Sequence, residues 1–350
     1  MNENEKVDRR KFFGAGLAGI GAIGAGGVAG WFASRTPARA AERPALGPRF
    51  TYDVSDYIKT DPSLLLYDET AKIATGFTEP KCIEIAKDDT LFCGGDKAVK
   101  IFGKDGSLKS SFEVSELPHA IAIADDGKIF VGLKSFIEIH DASGKLISKS
   151  ESFGEKIYVT SLALSSAALF VADAGNREII RCDLTGKAIS RFGKKNEDNP
   201  GFAIPSAYFD LSLGSDGLLW TTNTGRHQIE AYSTDGKFEL GWGATGMAIE
   251  NFCGCCNPVH FTRLPDGRFV TSEKGLNRIK IYDAHGKFAG VVAGADALVK
   301  DLELARRACK NCQIGFGFDV ACDSQSRVFA LDPATRDIRI FAPKQKAVAT

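Results

Sequence analysis

The stretch His119 to Ser150, "HAIAIADDGKIFVGLKSFIEIHDASGKLISKS", decides how the rest of the chain is read. Small and large apolar residues alternate through Ala120–Ile123, and an Asp-Gly turn follows. A second β-rich run, a polar turn, a third run, a Ser-Gly turn and a fourth run complete it. Period-two alternation separated by short Gly-containing turns marks antiparallel hairpins. Four such strands in a row make one blade of a β-propeller.

The same grammar returns along the chain. Glycines in equivalent turns, "KDGS", "ASGK", "LTGK", "TDGK" and "AHGK", are Gly106, Gly144, Gly186, Gly236 and Gly286, spaced 38, 42, 50 and 50 residues apart. A repeat of this length signals a propeller or solenoid. Blades are expected to begin near Lys81, His119, Tyr158, Ser206, Val259 and Phe318, which gives six. The sixth, "GFDVACDSQSRVFALDPATRDIRIFAP", holds only three strands. Its outer strand is expected from the other end of the chain, in "SLLLYDETAKI", Ser63 to Ile73. Closure by both termini removes exposed sheet edges. The sequence therefore predicts an all-β, six-bladed propeller over 61–343, with a short tail over 344–350.

The pieces "DAGNREIIRCDLTGK", "NTGRHQIEAYSTDGK" and "EKGLNRIKIYDAHGK" resemble NHL-repeat propellers. That resemblance covers roughly the predicted propeller and implies its fold. The family contains scaffolds, binding modules and a few enzymes, so fold does not fix function. A longer match, including "NFCGCCNP" and "VTSEKGLNRIKIYDAHGKFAGVVAG", resembles a bacterial subgroup exported by the twin-arginine route.

The N-terminus reads as an address. Arg9-Arg10-Lys11-Phe12-Phe13 precedes a weakly hydrophobic run, and Ala38-Arg39-Ala40 offers a small-x-small cleavage site. Residues 1–40 are read as a twin-arginine signal and 41–60 as a linker. Eight of the twenty residues from Gly14 to Ala33 are Gly, which suits a spanning helix poorly. The expected location is periplasmic or extracytoplasmic, with membrane attachment only if the signal stays uncleaved. Twin-arginine export carries folded proteins, often already loaded with a cofactor.

The 350 residues carry 44 Lys+Arg and 44 Asp+Glu, so formal net charge is zero. Broad electrostatic capture of nucleic acid needs a basic field, so no nucleic-acid partner is expected. A monomer is expected, with any protein partner on the face that carries the crossover loops.

Nine cysteines divide into two sets. Cys82, Cys93, Cys182 and Cys322 fall at strand positions where a small apolar residue packs well. Cys253, Cys255 and Cys256 lie in the lengthened crossover "GATGMAIENFCGCCNP" between blades four and five. Cys309 and Cys312 lie in the next, "ADALVKDLELARRACKNCQIG". Long loops on a rigid ring are where sites are usually found, and these two should open on one face. Apolar residues at helical spacing over Leu298 to Ala308 predict a short helix leading to Cys309.

Three chemistries fit five converging thiols. Four thiolates can hold an iron–sulfur cluster or a closed tetrahedral zinc. Disulfides or dithiol exchange form the third, with Arg306, Arg307 or Lys310 lowering a thiol. Disulfides would leave one of the five over, and adjacent Cys255 and Cys256 pair poorly. His260, four residues after Cys256, is a further metal-ligand candidate. With His119 it should sit near the start of an inner strand, facing the channel. The resembling amidating lyases hold zinc on channel-facing His, though three matching His are not found here. His140, His227 and His285 are expected at the surface.

Three functional readings follow. The first is an exported propeller with a metal or iron–sulfur centre on Cys253, Cys255, Cys256, Cys309 and Cys312, in an electron-transfer or redox role. The second is a non-catalytic interaction scaffold with loop disulfides. The third is a lyase-like zinc enzyme working in the channel.

Overall fold

The computed structural model describes residues 55–345, apart from 197–199 and 301–315. The proposed export signal, most of the linker, Cys309 and Cys312 lie outside the described residues. Six four-stranded antiparallel sheets form the six blades of a β-propeller. Inner strands are Pro80–Ile85, Ala120–Ile123, Val159–Leu164, Leu211–Leu213, His260–Arg263 and Asp319–Cys322. Among the described residues, no helix is long and apolar enough to cross a membrane.

Burial explains the order within a blade. In the second, Ile129–Gly132 and Ile137–His140 are wholly buried, while the outer strand Leu146–Lys149 is exposed along its length. The middle strands are covered on both faces by neighbouring blades, and the rim strand meets water. The repeated glycines serve this packing. Gly144 has φ +87°, and a Cβ there would lie 2.5 Å from the Phe112 ring of the preceding blade. Gly286 stands against Trp242 in the same way, at 2.3 Å. Gly144 and Gly286 each give the left-handed turn and also admit an aromatic from the blade before them.

The ring closes as the sequence predicts. Tyr67–Ala74 pairs with Asp337–Pro343 and supplies the sixth blade's outer strand. The Arg339 guanidinium meets Glu69 across that seam, with Nη2 2.5 Å from Oε2. Just before the strand, Leu66 N–H donates to Val291 O at 2.9 Å and ties the closing segment to blade five.

Cys82, Cys93 and Cys182 are buried in strands, and Cys322 sits in an inner strand with its thiol donating to Arg263 O at 2.7 Å. His140 departs from expectation. It belongs to a third strand and is 1% exposed, with Nδ1 3.0 Å from Gly144 O and Nε2 3.2 Å from Glu138. The ring stacks on Phe112 at 4.7 Å between centroids, so the neighbouring blade covers it.

Candidate functional site

The crossover between blades four and five is held rigidly. Its residues 244–252 fold back on themselves, with Phe252 N–H donating to Ala244 O and Gly246 N–H to Phe252 O. Three side chains, from the third strand of blade five, Ile279–Tyr282, and the residue before it, bind the crossover's carbonyls. Arg278 donates to Met247 O and Asn251 O, Lys280 to Ile249 O and Asn251 O, and Tyr282 to Glu250 O. Arg278 and Lys280 are buried cations, and both rest on the fully buried Glu273, at 2.7 and 3.1 Å. Burial pushes the Lys280 ammonium down to about 8 against the pull of Glu273. Backbone acceptors that would otherwise be unsatisfied are paired, so the loop is fixed at a buried charge network.

The "CGCCNP" stretch is threaded onto this base. Cys253 N–H donates to Glu273 Oε1 at 2.9 Å. Asn257 donates through Nδ2 to Cys253 O at 2.6 Å and to Lys274 O at 2.9 Å, and accepts from Lys274 N–H. His227 Nε2 lies 2.9 Å from Gly254 O. Gly254 has φ +79°, a backbone state that suits glycine. The Asn257–Pro258 bond is cis.

The three thiols part company here. Cys253 is buried, and its burial beside Glu273 pushes its thiol up. Cys255 and Cys256 stay together, Sγ to Sγ 3.2 Å. The Ser206 hydroxyl donates to Cys256 Sγ at 3.3 Å, and Lys274 Nζ donates to Ser206 Oγ at 3.2 Å. Burial raises Cys256, but hydrogen bonds from Lys274, Ser206 and Cys255 outweigh it and hold that thiol below its ordinary value. Cys255 is correspondingly raised, first by its bond to Cys256 and then by burial. Ionisation is therefore favoured at Cys256 and disfavoured at Cys255, with the Lys274 ammonium beside the pair. This arrangement suits a soft metal or thiol exchange.

The pair adjoins the channel mouth. Lys274 Nζ sits 5.0 Å from the centroid of the Tyr208 ring, and that ring meets His260 edge-on at 5.4 Å. A vestibule of about 320 Å³ is lined by Lys81, His119, Tyr158, Tyr208, His260 and Asp319, among others. A narrower cavity of about 100 Å³ shares His119, Thr160, His260 and Asp319 with it and adds Glu84 and Cys82.

At the channel the blades present one equivalent position each: Cys82, Ala120, Ser161, Asp210, His260 and Asp319. Three consecutive blades thus offer Asp, His, Asp. His260 Nδ1 lies 3.5 Å from Asp210 Oδ2 and 3.3 Å from Asp319 Oδ1. Burial lowers His260, but the Asp319 and Asp210 carboxylates overcome it and raise the imidazole. Burial lifts Asp319 to about 6, moderated by His260, and lifts Glu84 to about 8 with help from Asp319. His119 stands one register step away from the equivalent position, edge-on to Tyr158, and burial takes it down to about 4.

Of the residues singled out from sequence, the structure brings Cys255 and Cys256 together and sets His260 nearby, across Tyr208. It turns Cys253 inward and faces His260 toward carboxylates. The expected helix over Leu298 to Ala308 falls largely outside the described residues; Ala295–Leu298 is helical. Asp210, Asp319, Ser206, Lys274 and His227 were not singled out. Aligning the first inner-strand position of each blade would have found the two aspartates.

No family model matches the chain, and no curated protein does. Solved structures do. A streptogramin B lyase is 13% identical with a TM-score of 0.55, covering 78% of this chain and 97% of that one. A virginiamycin B lyase from Staphylococcus aureus is 12% identical at 0.53, covering 79% and 100%. A protein of unknown function from Bacteroides thetaiotaomicron is 14% identical at 0.56, covering 79% and 73%. At these identities the likeness shows the propeller fold.

Proposed function

We propose that this chain is an exported β-propeller that carries a thiolate-bound metal or iron–sulfur centre on its crossover face and serves an electron-transfer or redox role. One observation carries the reading. Cys255 and Cys256 stand 3.2 Å apart beside Lys274 and Ser206, on a loop pinned by a buried charge network. A metal-bound thiolate keeps its negative charge, and an adjacent ammonium stabilises that charge. A preorganised loop holds such ligands with little loss of entropy on binding.

Cys309 and Cys312 supply the other two sulfurs in this reading, giving the four thiolates that a cluster takes. Cys253 then acts as a structural residue, its amide anchored on Glu273. When bound, the centre supplies one-electron or soft Lewis-acid chemistry. Lys274 and Ser206 favour the anionic form of Cys256, and Tyr208 and the vestibule rim shape the approach. Export in a folded state is compatible with loading in the cytoplasm, and a redox centre at a surface face calls for a protein partner there.

The test is iron, zinc and acid-labile sulfide analysis of full-length protein matured through its export route. The expected result is a stoichiometric centre. Cys255→Ser and Cys256→Ser should lose it, and Cys82→Ser and Cys93→Ser should keep it. Metal-free protein with four of its five loop cysteines in two disulfides would overturn the reading in favour of a stapled scaffold.

A further inference from the structure

We infer that the channel holds a second and chemically different site, in which Asp210, His260 and Asp319 bind a divalent cation of the zinc–cobalt class. This goes beyond the thiolate centre and rests on none of its residues. Among the described residues, these three form the one group of His, Cys, Asp or Glu side chains whose ligand atoms all lie within 4.8 Å of one another.

Distances decide between a cation site and a plain ion pair. An imidazolium drawn to a carboxylate forms a charge-assisted bond of about 2.7–2.9 Å. Here Nδ1 is 3.5 Å from one carboxylate and 3.3 Å from the other, shared by both and close to neither. Zinc bonds to nitrogen and carboxylate oxygen run about 2.0–2.2 Å in a tetrahedral shell, which places neighbouring ligand atoms about 3.3–3.5 Å apart. The two distances from His260 match that spacing, and the Asp210 and Asp319 oxygens lie within 4.8 Å of each other.

The carboxylates are also fixed by the ring itself. Asp210 Oδ2 accepts from Phe261 N–H of the next blade at 2.9 Å, and Oδ1 from its neighbour Leu211 N–H at 3.0 Å. Asp319 Oδ2 accepts from Ile83 N–H across the closing seam at 2.8 Å, and Oδ1 from Val320 N–H at 2.9 Å. Every oxygen keeps a further lone pair. These bonds give each carboxylate a structural duty as inter-blade clasps, and they orient it for a ligand just as hydrogen bonds behind a metal ligand do.

Charge points the same way. Asp210, Asp319 and Glu84 line one narrow cavity with His260 and the neutral Cys82. Two aspartates share one imidazole there, with the Glu84 carboxyl in the same cavity, and a divalent cation would offset the aspartate charge. Three protein ligands leave a fourth position, and the vestibule that reaches His260 and Asp319 gives an oxygen ligand access to it. Donors of one nitrogen and two oxygens prefer a harder ion than the thiol pair does.

Cobalt(II) titration tests this directly in chelator-stripped, full-length protein carrying Cys255→Ser, Cys256→Ser, Cys309→Ser and Cys312→Ser. That background removes the soft centre, so the two sites cannot be confused. The expected result is one Co²⁺ per chain with visible ligand-field bands, no thiolate charge-transfer band, and displacement by Zn²⁺. Asp210→Asn and Asp319→Asn each keep an acceptor for the clasping N–H groups and should weaken binding at least tenfold. His260→Gln, which leaves both clasps untouched, should do the same and covers the case in which an Asn variant misfolds. No stoichiometric cobalt in the quadruple variant, or equal affinity in the folded Asn and Gln variants, would overturn the inference.

Discussion

Arg278→Met should loosen the crossover loop more than any surface change nearby. Arg278 is 2% exposed and Glu273 0%, with Nε 2.7 Å from Oε2 and Nη2 3.2 Å from Oε1. The same guanidinium binds Met247 O and Asn251 O at 3.3 Å each. Removing one partner of a buried pair costs about 3–5 kcal/mol, because the other charge is left without its partner. Lys280 remains 3.1 Å from Glu273, so the cost should fall near the lower end, about 3 kcal/mol. A domain of this size gains on the order of 0.6 kcal/mol per kelvin in unfolding entropy, so Tm should drop by roughly 5 °C. Calorimetry gives that shift. A second readout is specific to the loop: Cys253, now buried with its amide on Glu273, should react faster with a thiol reagent well below the melting transition. Glu273→Met combined with Arg278→Met should recover part of the lost stability. If the single variant melts within about 1 °C of the parent, a small part of the shift expected from unfolding entropy, and Cys253 labels no faster, the network does not hold the loop and the preorganisation argument fails.

Three further outcomes can be checked. In chelator-treated protein, Glu84 sits in the channel with Asp210, Asp319 and His260, and its carboxyl is raised to about 8. The folded state keeps a proton that the unfolded chain releases near pH 4.5, so this group's contribution falls as pH rises from about 4.5 through 8; Glu84→Gln should flatten that part of a Tm-against-pH profile, and identical slopes would refute it. A chain beginning at Thr75 loses the strand paired with Asp337–Pro343 and the Glu69–Arg339 ion pair. It should aggregate or melt far below a chain beginning at Ser55, and equal melting by scanning fluorimetry would count against closure. Replacing Arg9 and Arg10 by Lys should keep the protein in the cytoplasm, read by cell fractionation; unchanged export would remove the twin-arginine reading.

The architecture was legible because its cause is local and repeated. Gly144 and Gly286 recur at equivalent turns since each must both take a left-handed backbone and admit an aromatic from the previous blade. Missing strands were legible too: a sixth blade with three strands has an unpaired edge, and Tyr67–Ala74 covers it. The histidine at 140 was placed on the surface because the repeat pattern resembles that of a rim strand. In the ring, Phe112 of the neighbouring blade closes over it. Burial of a third strand is a property of two blades in contact and is not encoded in either one alone.

The candidate site divides along the same line. Crowded cysteines in a lengthened crossover are visible in any sequence, and Cys255 and Cys256 do meet. What gives them character comes from elsewhere in the chain. Ser206 lies fifty residues before Cys256 and Lys274 eighteen after it, yet the ring sets both against one sulfur. Asn257 carries no such mark in the sequence, yet its amide ties Cys253 O to the backbone of Lys274. The channel triad is the extreme case. Asp210, His260 and Asp319 are far apart in the chain, each at or just before the start of its own inner strand, and no local pattern marks the two aspartates. Only closure of the ring puts their ligand atoms within 4.8 Å. A repeat fold thus turns one strand position, varied independently in each blade, into a ring of side chains around a shared axis. Chemistry in such a protein is read most directly by comparing equivalent positions between blades, where Cys, Ala, Ser, Asp, His and Asp replace one another around the channel.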